Sequence, residues 1–145
     1  MIVALLLAFL AGALLPVQTG INLQLRGLLG QPLAAAAVSF VVGTIGLAML
    51  VVGLRVPVPV AAAWDRGAWW PWTGGLLGAV YIVAAIVLAP RLGAATLVAA
   101  LVAGQMVASL LLDHYGWVGF AVHPVSPLRI LGAALVVGGV VLVQR

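Results

Sequence analysis

Hydrogen-bonding side chains inside long apolar stretches are the residues of this sequence best suited to chemistry. Residues 1–17 have no polar or charged side chain, and Gln18 and Asn22 then follow four residues apart. That spacing is about one helical turn, so the two amides would share one face of a helix. Two interpretations remain open for them: hydrogen bonds between packed helices, or one wall of a cavity that binds a solute.

A second polar series and a lone tyrosine occur in later apolar stretches. Gln105, Ser109 and Asp113 are also spaced by four, and the series ends where Asp113 adjoins His114. Asp113 either caps a neighbouring helix or holds a proton or attracts a cation at the mouth of a cavity. A buried tyrosine hydroxyl needs a polar partner, so Tyr81 is a further candidate for the cavity wall. We predict substrate binding by Gln18, Asn22, Tyr81 and Gln105, with Asp113 as a possible coupling group.

Groups needed for catalysis are missing from the sequence. No carboxylate lies deep in an apolar stretch, no cluster of His, Cys, Asp or Glu has metal-ligand spacing, and there is no lysine for a phosphate-binding loop. We therefore expect no enzyme activity, no metal and no cofactor. The six arginines are spread singly along the chain, so nucleic acid is not an expected partner.

Composition places these residues in a bilayer. Of the 145 residues, 66% are hydrophobic and only 6% are charged, whereas a soluble domain has about 25% charged residues. Because the apolar run at the amino terminus is longer than that of a signal peptide, we expect no cleaved signal there. We expect a single transmembrane domain over residues 1–145, and the absence of cysteine excludes a disulfide framework.

Five apolar stretches are long enough to cross about 30 Å of hydrocarbon as helices. They are apolar on every side, which excludes the alternating pattern of a membrane β-barrel. We predict tight turns at residues 26–31 and at Pro90-Arg91, and a kink at Pro16. The predicted spans of this all-α integral membrane protein are residues 2–25, 32–54, 69–89, 92–112 and 127–143.

The charges beside these spans do not favour one orientation. Orientation normally follows a Lys/Arg bias among short loops, but here three arginines fall on each side: Arg55, Arg66 and Arg129 against Arg26, Arg91 and Arg145. One interpretation is a fixed topology set by a weak bias or by a partner. The other is dual topology, in which two copies pair antiparallel and regenerate the inverted repeat of many secondary transporters.

Small residues at four-residue spacing indicate close helix packing. Such pairs allow two backbones to approach in a membrane, although the motif is common and names no ligand. The glycines assigned to helix packing are Gly74, Gly78, Gly104 and Gly138.

Three stretches of the chain resemble the short five-helix branch of the drug/metabolite transporter superfamily, often called the YdcZ family. They are PVQTGINLQLRGLLGQPLAAAAVSFVVGT, WPWTGGLLGAVYIVAAIVLAPRLGAATLVAALVAGQMVASLLLDHYG and HPVSPLRILGAALVVGGVVL, which together cover most of the sequence. The central stretch is the most specific. The resemblance implies an all-helical, multi-pass protein of the bacterial inner membrane that belongs to the transporter class.

Larger members of that superfamily look like two such halves in inverted order. The resemblance therefore implies one half of a ten-helix transporter, completed by an antiparallel homodimer or by a related chain. Small multidrug resistance relatives use a membrane-embedded Glu for proton coupling, but this sequence has no Glu, so that mechanism does not carry over. We predict an alternating-access transporter of a small organic solute. The alternative is a noncatalytic membrane scaffold or accessory subunit.

Overall fold

The computed structural model describes residues 1–67 and 69–144, and of Ala63 and Arg66 it describes the backbone alone. Arg145, which entered the charge balance, lies outside the described residues. Within the described part the secondary structure is helical throughout, with two short 3₁₀ turns at Trp70–Thr73 and Trp117–Gly119. The α-helices are α1 Ile2–Leu29, α2 Pro32–Gly53, α3 Val60–Arg66, α4 Gly74–Leu92, α5 Ala94–Tyr115 and α6 Pro127–Val143.

Four of these helices, α1, α2, α4 (with the preceding 3₁₀ turn) and α5, are long and apolar enough to cross a membrane. The prediction of an all-α integral membrane protein is therefore confirmed. Helix α6 has the predicted bounds, but its 17 residues extend only about 25 Å at 1.5 Å per residue. It is thus shorter than the hydrocarbon core of about 30 Å, and the count of five spans stays a prediction.

The first helix is longer than predicted. It continues through Arg26 and Gly27 to Leu29 and ends at Gly30, whose φ of 74° is left-handed and whose N–H bonds to the Arg26 carbonyl. Glycine is the residue that adopts this C-cap conformation without steric cost. The predicted turn at residues 26–31 was wrong in length, since only Gly30 and Gln31 separate α1 from α2.

The third long helix does not end before Pro90, as predicted. Helix α4 contains Pro90 in its last turn and ends at Leu92, and Gly93, with a φ of 77°, follows it. A proline so close to the end removes one backbone hydrogen bond without stopping the helix. Helix α4 also begins at Gly74 rather than at residue 69, because residues 70–73 form a 3₁₀ turn.

Helix α5 begins two residues later than predicted and runs to Tyr115, three residues beyond the predicted end. Asp113 and His114 therefore lie in its last turn and not in a loop. Gly116 stops the helix with a φ of 64°. A Cβ atom there would meet the Val122 side chain at 2.7 Å, so both the backbone conformation and the available space require glycine.

The chain divides into two compact units, the first over Met1–Val87 and the second beginning at Leu88. In the first unit α1 packs against α2, and a buried cluster joins α2 to α4. In the second unit α5 packs against α6. The buried cluster of the first unit consists of Ala35, Ala36, Ile82 and Ile86, with Leu23, Leu25, Tyr81 and Val83 packed against it.

Candidate functional site

One buried amide in α1 has no partner. Asn22 is only 2% exposed, and its Nδ2 atom, assigned as the amide donor, makes no hydrogen bond within the described residues. Leaving a buried polar group unpaired costs about 1–3 kcal/mol. Hydrogen bonding between helices of this chain does not explain the placement of this side chain.

Arg26 lies one turn further along the same face of α1. Its Nη1 atom donates to the backbone carbonyl of Ile86 in α4 at 3.1 Å, and this contact is partly buried. Helical N–H groups donate to the carbonyl four residues earlier, so the absent N–H of Pro90 frees the Ile86 carbonyl. Arg26 therefore supplies the donor that Pro90 cannot supply.

The charge of Arg26 has no carboxylate beside it in the described part of the chain. The sequence contains two acidic residues, Asp65 and Asp113. Asp113 forms an ion pair with Arg129, and no ion pair to Arg26 occurs among the described residues. A partly buried guanidinium with several donors and one carbonyl partner retains capacity to bind another acceptor.

Gln18 is exposed, unlike Asn22 one turn away. Because α1 ends at Leu29, Gln18 lies about 16 Å from that end of the helix at 1.5 Å per residue. The neighbouring Thr19 hydroxyl bonds to the Leu15 carbonyl of its own helix at 3.0 Å. We refer to Gln18, Asn22 and Arg26 together as the α1 polar face, of which only Asn22 is buried.

Tyr81 is half-buried in α4 and packs against the same cluster as Leu23, the neighbour of Asn22 in sequence. Two of the four predicted binding residues, Asn22 and Tyr81, thus lie in the packed part of the first unit. Gly78, one turn before Ile82, lets the Phe40 ring approach within 3.5 Å of the position a Cβ atom would occupy.

The second unit contains a charged group that is paired within the chain, where α5 leads to α6. Arg129 pairs with Asp113 through Nη2 and donates from Nη1 to the His123 carbonyl at 2.8 Å. The His123 N–H in turn donates to the Asp113 carbonyl at 2.8 Å. The Ser126 hydroxyl caps α6 by accepting from the Arg129 N–H at 3.3 Å. We call Asp113, His114, His123 and Arg129 the α5–α6 junction.

The two histidines of this junction are bonded to the backbone of the same loop. His114 Nδ1 accepts from the Val125 N–H at 3.2 Å, which requires that nitrogen to be unprotonated. His123 Nδ1 lies 3.0 Å from the Ala121 carbonyl and therefore acts as the donor. These contacts tie the connection between α5 and α6 to its own backbone.

An open pocket of about 530 Å³ lies over the junction, lined by Asp113, His123, Pro124 and Arg129. The Asp113 carboxylate facing it is already held by Arg129. Of the two interpretations of Asp113, the geometry favours a structural contact to a neighbouring helix, and its role in ion or proton coupling stays a prediction.

The remaining predicted residues make few contacts in the described chain. Gln105 and Ser109 are exposed on α5, about two turns and one turn before Asp113 respectively. No neighbour lies within 4 Å of a Cβ position at Gly74, Gly104 or Gly138, so their role in packing stays a prediction. No group of three His, Cys, Asp or Glu side chains able to hold a metal occurs among the described residues.

The sequence interpretation missed two arginines that organise these sites. Arg26 and Arg129 entered only the charge balance, but each bonds to another helix or loop. A signal for Arg26 existed, because Pro90 marks a free carbonyl at Ile86. No comparable local signal connects Arg129 to Asp113.

Comparison with known proteins agrees with the membrane location expected from the apolar helices. Residues 3–142 match the family described as "Putative inner membrane exporter, YdcZ". The chain is also similar to the inner membrane protein YdcZ of Escherichia coli, at 35% identity over 130 residues. That alignment covers 86% of this chain and 74% of the relative. No solved structure matches the chain significantly.

Proposed function

Because the chain belongs to the YdcZ family, a family described as inner membrane exporters, we propose that it is a secondary transporter of a small organic solute. Its membership and its four long apolar helices make it a multi-pass protein of the bacterial inner membrane. We further propose that it works by alternating access, without catalysis, metal or cofactor, and that it moves solute outward as the family description suggests.

The observation that supports this proposal is the unpaired amide of Asn22. Polar side chains within spans are costly and usually serve a pathway, a relay or a binding site. An amide that is 2% exposed and unbonded has an unused hydrogen-bond donor. In our proposal a solute that enters when the surrounding helices separate bonds to this donor. Tyr81, packed against the neighbouring cluster, and Gln18 are proposed to line the same path.

We propose that two copies complete the transporter, with Gln105 facing the solute path in the assembled dimer. Five spans in each of two antiparallel chains would give ten helices related as an inverted repeat, with the site near the midplane. The equal division of arginines supports dual insertion. A carboxyl-terminal tag read by reporters active on one side only should then give both signals. A single orientation in cells that lack any related chain would exclude the antiparallel homodimer.

A solute screen on purified protein tests the function itself. A ligand at 100 times its dissociation constant stabilises the folded state by about 2.7 kcal/mol, which a thermal unfolding assay detects. Stabilising solutes are then tested for counterflow in proteoliposomes, where an alternating-access carrier exchanges labelled for unlabelled solute. Solutes that bind but never exchange would contradict transport.

Cysteine labelling tests whether water reaches the proposed solute path. The experiment is simple because the chain has no native cysteine. We expect cysteines at positions 18 and 22 to react with a small water-soluble thiol reagent, since water allows the reactive thiolate to form. Labelling at position 22 should increase when a transported solute opens the site. A cysteine at position 21, on another face, should react slowly.

A noncatalytic scaffold or accessory subunit is the second candidate, and one observation favours it. Asn22 is closely packed by its own chain, whereas a resting transporter open to solvent would leave space around it. Equal, negligible labelling at positions 18, 21 and 22 would support the scaffold and remove the main argument for transport.

A further inference from the structure

The donors of the α1 polar face specify the chemical class of the solute. We propose that Arg26 and Asn22 form a binding site for an oxyanion, the carboxylate or phosphate of a small organic acid. This inference rests on the proposed function, since it names the substrate class of the same site. It separates this chain from carriers whose membrane-embedded carboxylate attracts organic cations.

Hydrogen-bond chemistry is the first reason. Asn22 offers an unbonded amide donor that is 2% exposed. Arg26, one turn later on the same face, uses one donor atom in a hydrogen bond, to the Ile86 carbonyl. A guanidinium has five N–H donors and no acceptor. Both residues therefore present donors, and a ligand that binds them must carry hydrogen-bond acceptors.

Charge is the second reason. A partly buried cation is stable when an anion compensates it, and no carboxylate pairs with Arg26 in the described residues. The sequence provides only Asp65 and Asp113 as acids. Asp113 already pairs with Arg129, and Asp65 lies exposed on α3. An anionic solute would supply the missing charge, whereas an organic cation would be repelled.

The backbone hydrogen bond missing at Pro90 is the third reason, because the carbonyl it leaves free holds Arg26 in place. The hydrogen bond to the freed Ile86 carbonyl directs the guanidinium toward α4. Asn22 lies about 6 Å deeper along the helix axis at 1.5 Å per residue. The two donors thus lie one helical turn apart on the same face of α1.

Four probes that share one benzene ring and differ in their polar group test the ligand class: benzoate, phenyl phosphate, benzyl alcohol and benzylammonium. Binding is measured on the purified full-length protein in nanodiscs by thermal stabilisation and by calorimetry. We expect at least one of the two oxyanions to bind at least tenfold more tightly than the alcohol or the cation. The stronger of benzoate and phenyl phosphate identifies the carboxylate or the phosphate as the natural group.

Two variants locate the site. Arg26→Gln retains a donor for the Ile86 carbonyl but removes the charge, and it should weaken oxyanion binding at least tenfold. Arg91→Gln removes the same charge from an exposed position in the last turn of α4 and should leave the affinity within twofold. If Arg26→Gln does not fold, Arg26→Lys replaces it, since Lys keeps the charge but loses the planar fork and should weaken binding less.

The outcomes separate this inference from the proposed function. Equal or tighter binding of benzylammonium, oxyanion binding unaffected by Arg26→Gln, or no binding of either oxyanion would overturn the oxyanion site. If the protein then transported cations in proteoliposomes, the proposed transporter function would still be supported although the oxyanion site would be wrong. Tight oxyanion binding that depends on Arg26, without counterflow of the bound acid, would support the site and contradict transport.

Discussion

Two arginines near helix ends have opposite surroundings in this chain. Arg129 in the α5–α6 junction is balanced by the Asp113 carboxylate and also bonds to a carbonyl. Arg26 in the α1 polar face bonds to one carbonyl, beside an amide with no partner. The charge of Arg129 is paired within the chain, whereas the α1 polar face holds a cation with no carboxylate and an amide with no partner among the described residues. The difference favours a structural role for the α5–α6 junction and motivates the proposed binding role of the α1 polar face.

Replacing Asn22 should separate these two roles most clearly. Asn22→Leu keeps the branching and the number of heavy atoms of the side chain and removes an unpaired buried group, so we expect the free energy of unfolding to be unchanged or up to about 1 kcal/mol higher. Solute binding and counterflow should fall tenfold or more. Unfolding and transport are measured on the same preparation.

The exposed Gln24, on another face of α1, provides the matched control. Gln24→Leu should change neither transport nor binding. If Asn22 only joins helices, Asn22→Leu should instead lower stability by about 0.6–1.7 kcal/mol and loosen a dimer without a specific effect on transport per folded molecule.

Removing the acid of the α5–α6 junction should cost stability and spare transport. Asp113→Asn leaves the partly exposed Arg129 without its counterion. We expect a loss of about 1–2 kcal/mol, between the values for exposed and buried pairs. Denaturant unfolding measures it. The double variant with Arg129→Gln should cost less than the sum of the single changes, because the two groups interact. Transport lost at unchanged stability would instead support ion or proton coupling by Asp113.

The substitute hydrogen bond at Ile86 can be tested by restoring the missing donor. Arg26→Leu should lower stability by about 1–3 kcal/mol, because the freed carbonyl loses its partner. Pro90→Ala restores an N–H that bonds to the Ile86 carbonyl. In that background Arg26→Leu should lower the free energy of unfolding by about 1 kcal/mol less than it does when Pro90 is present. This double-mutant cycle, measured by unfolding, isolates the coupling. Additive effects would mean that Arg26 does not replace the donor of Pro90.

The sequence predicts the membrane helices well because hydropathy over about 20 residues determines them. It predicts their ends less well. Gly27 and Gly30 are equally plausible stops by residue type, and only the observed left-handed φ identifies Gly30. Pro90 suggested an end, yet a donor from α1, 60 residues away, satisfies the carbonyl it frees.

The residue types of the candidate site could be predicted from the sequence, but their burial and their hydrogen-bond partners could not. The spacing of Gln18 and Asn22 placed both on one face, but packing buries Asn22 and leaves Gln18 exposed. The partners of Asp113 and Arg26 depend on contacts between elements distant in sequence. Such contacts follow from tertiary packing, and the spacing of residues within one helix does not predict it.

Packing glycines should show the smallest difference between the two units. At Gly78 an added Cβ atom would lie 3.5 Å from Phe40, an ordinary contact, so Gly78→Ala should raise stability by about 0.5–1 kcal/mol through its better helix propensity. Gly104→Ala meets nothing within 4 Å in its own chain, so the monomer should gain a similar amount. If Gly104 faces a second copy, the same change should weaken the dimer, as measured by cross-linking or analytical ultracentrifugation in detergent. A dimer unaffected by both Gly104→Ala and the bulkier Gly104→Leu would place the interface elsewhere.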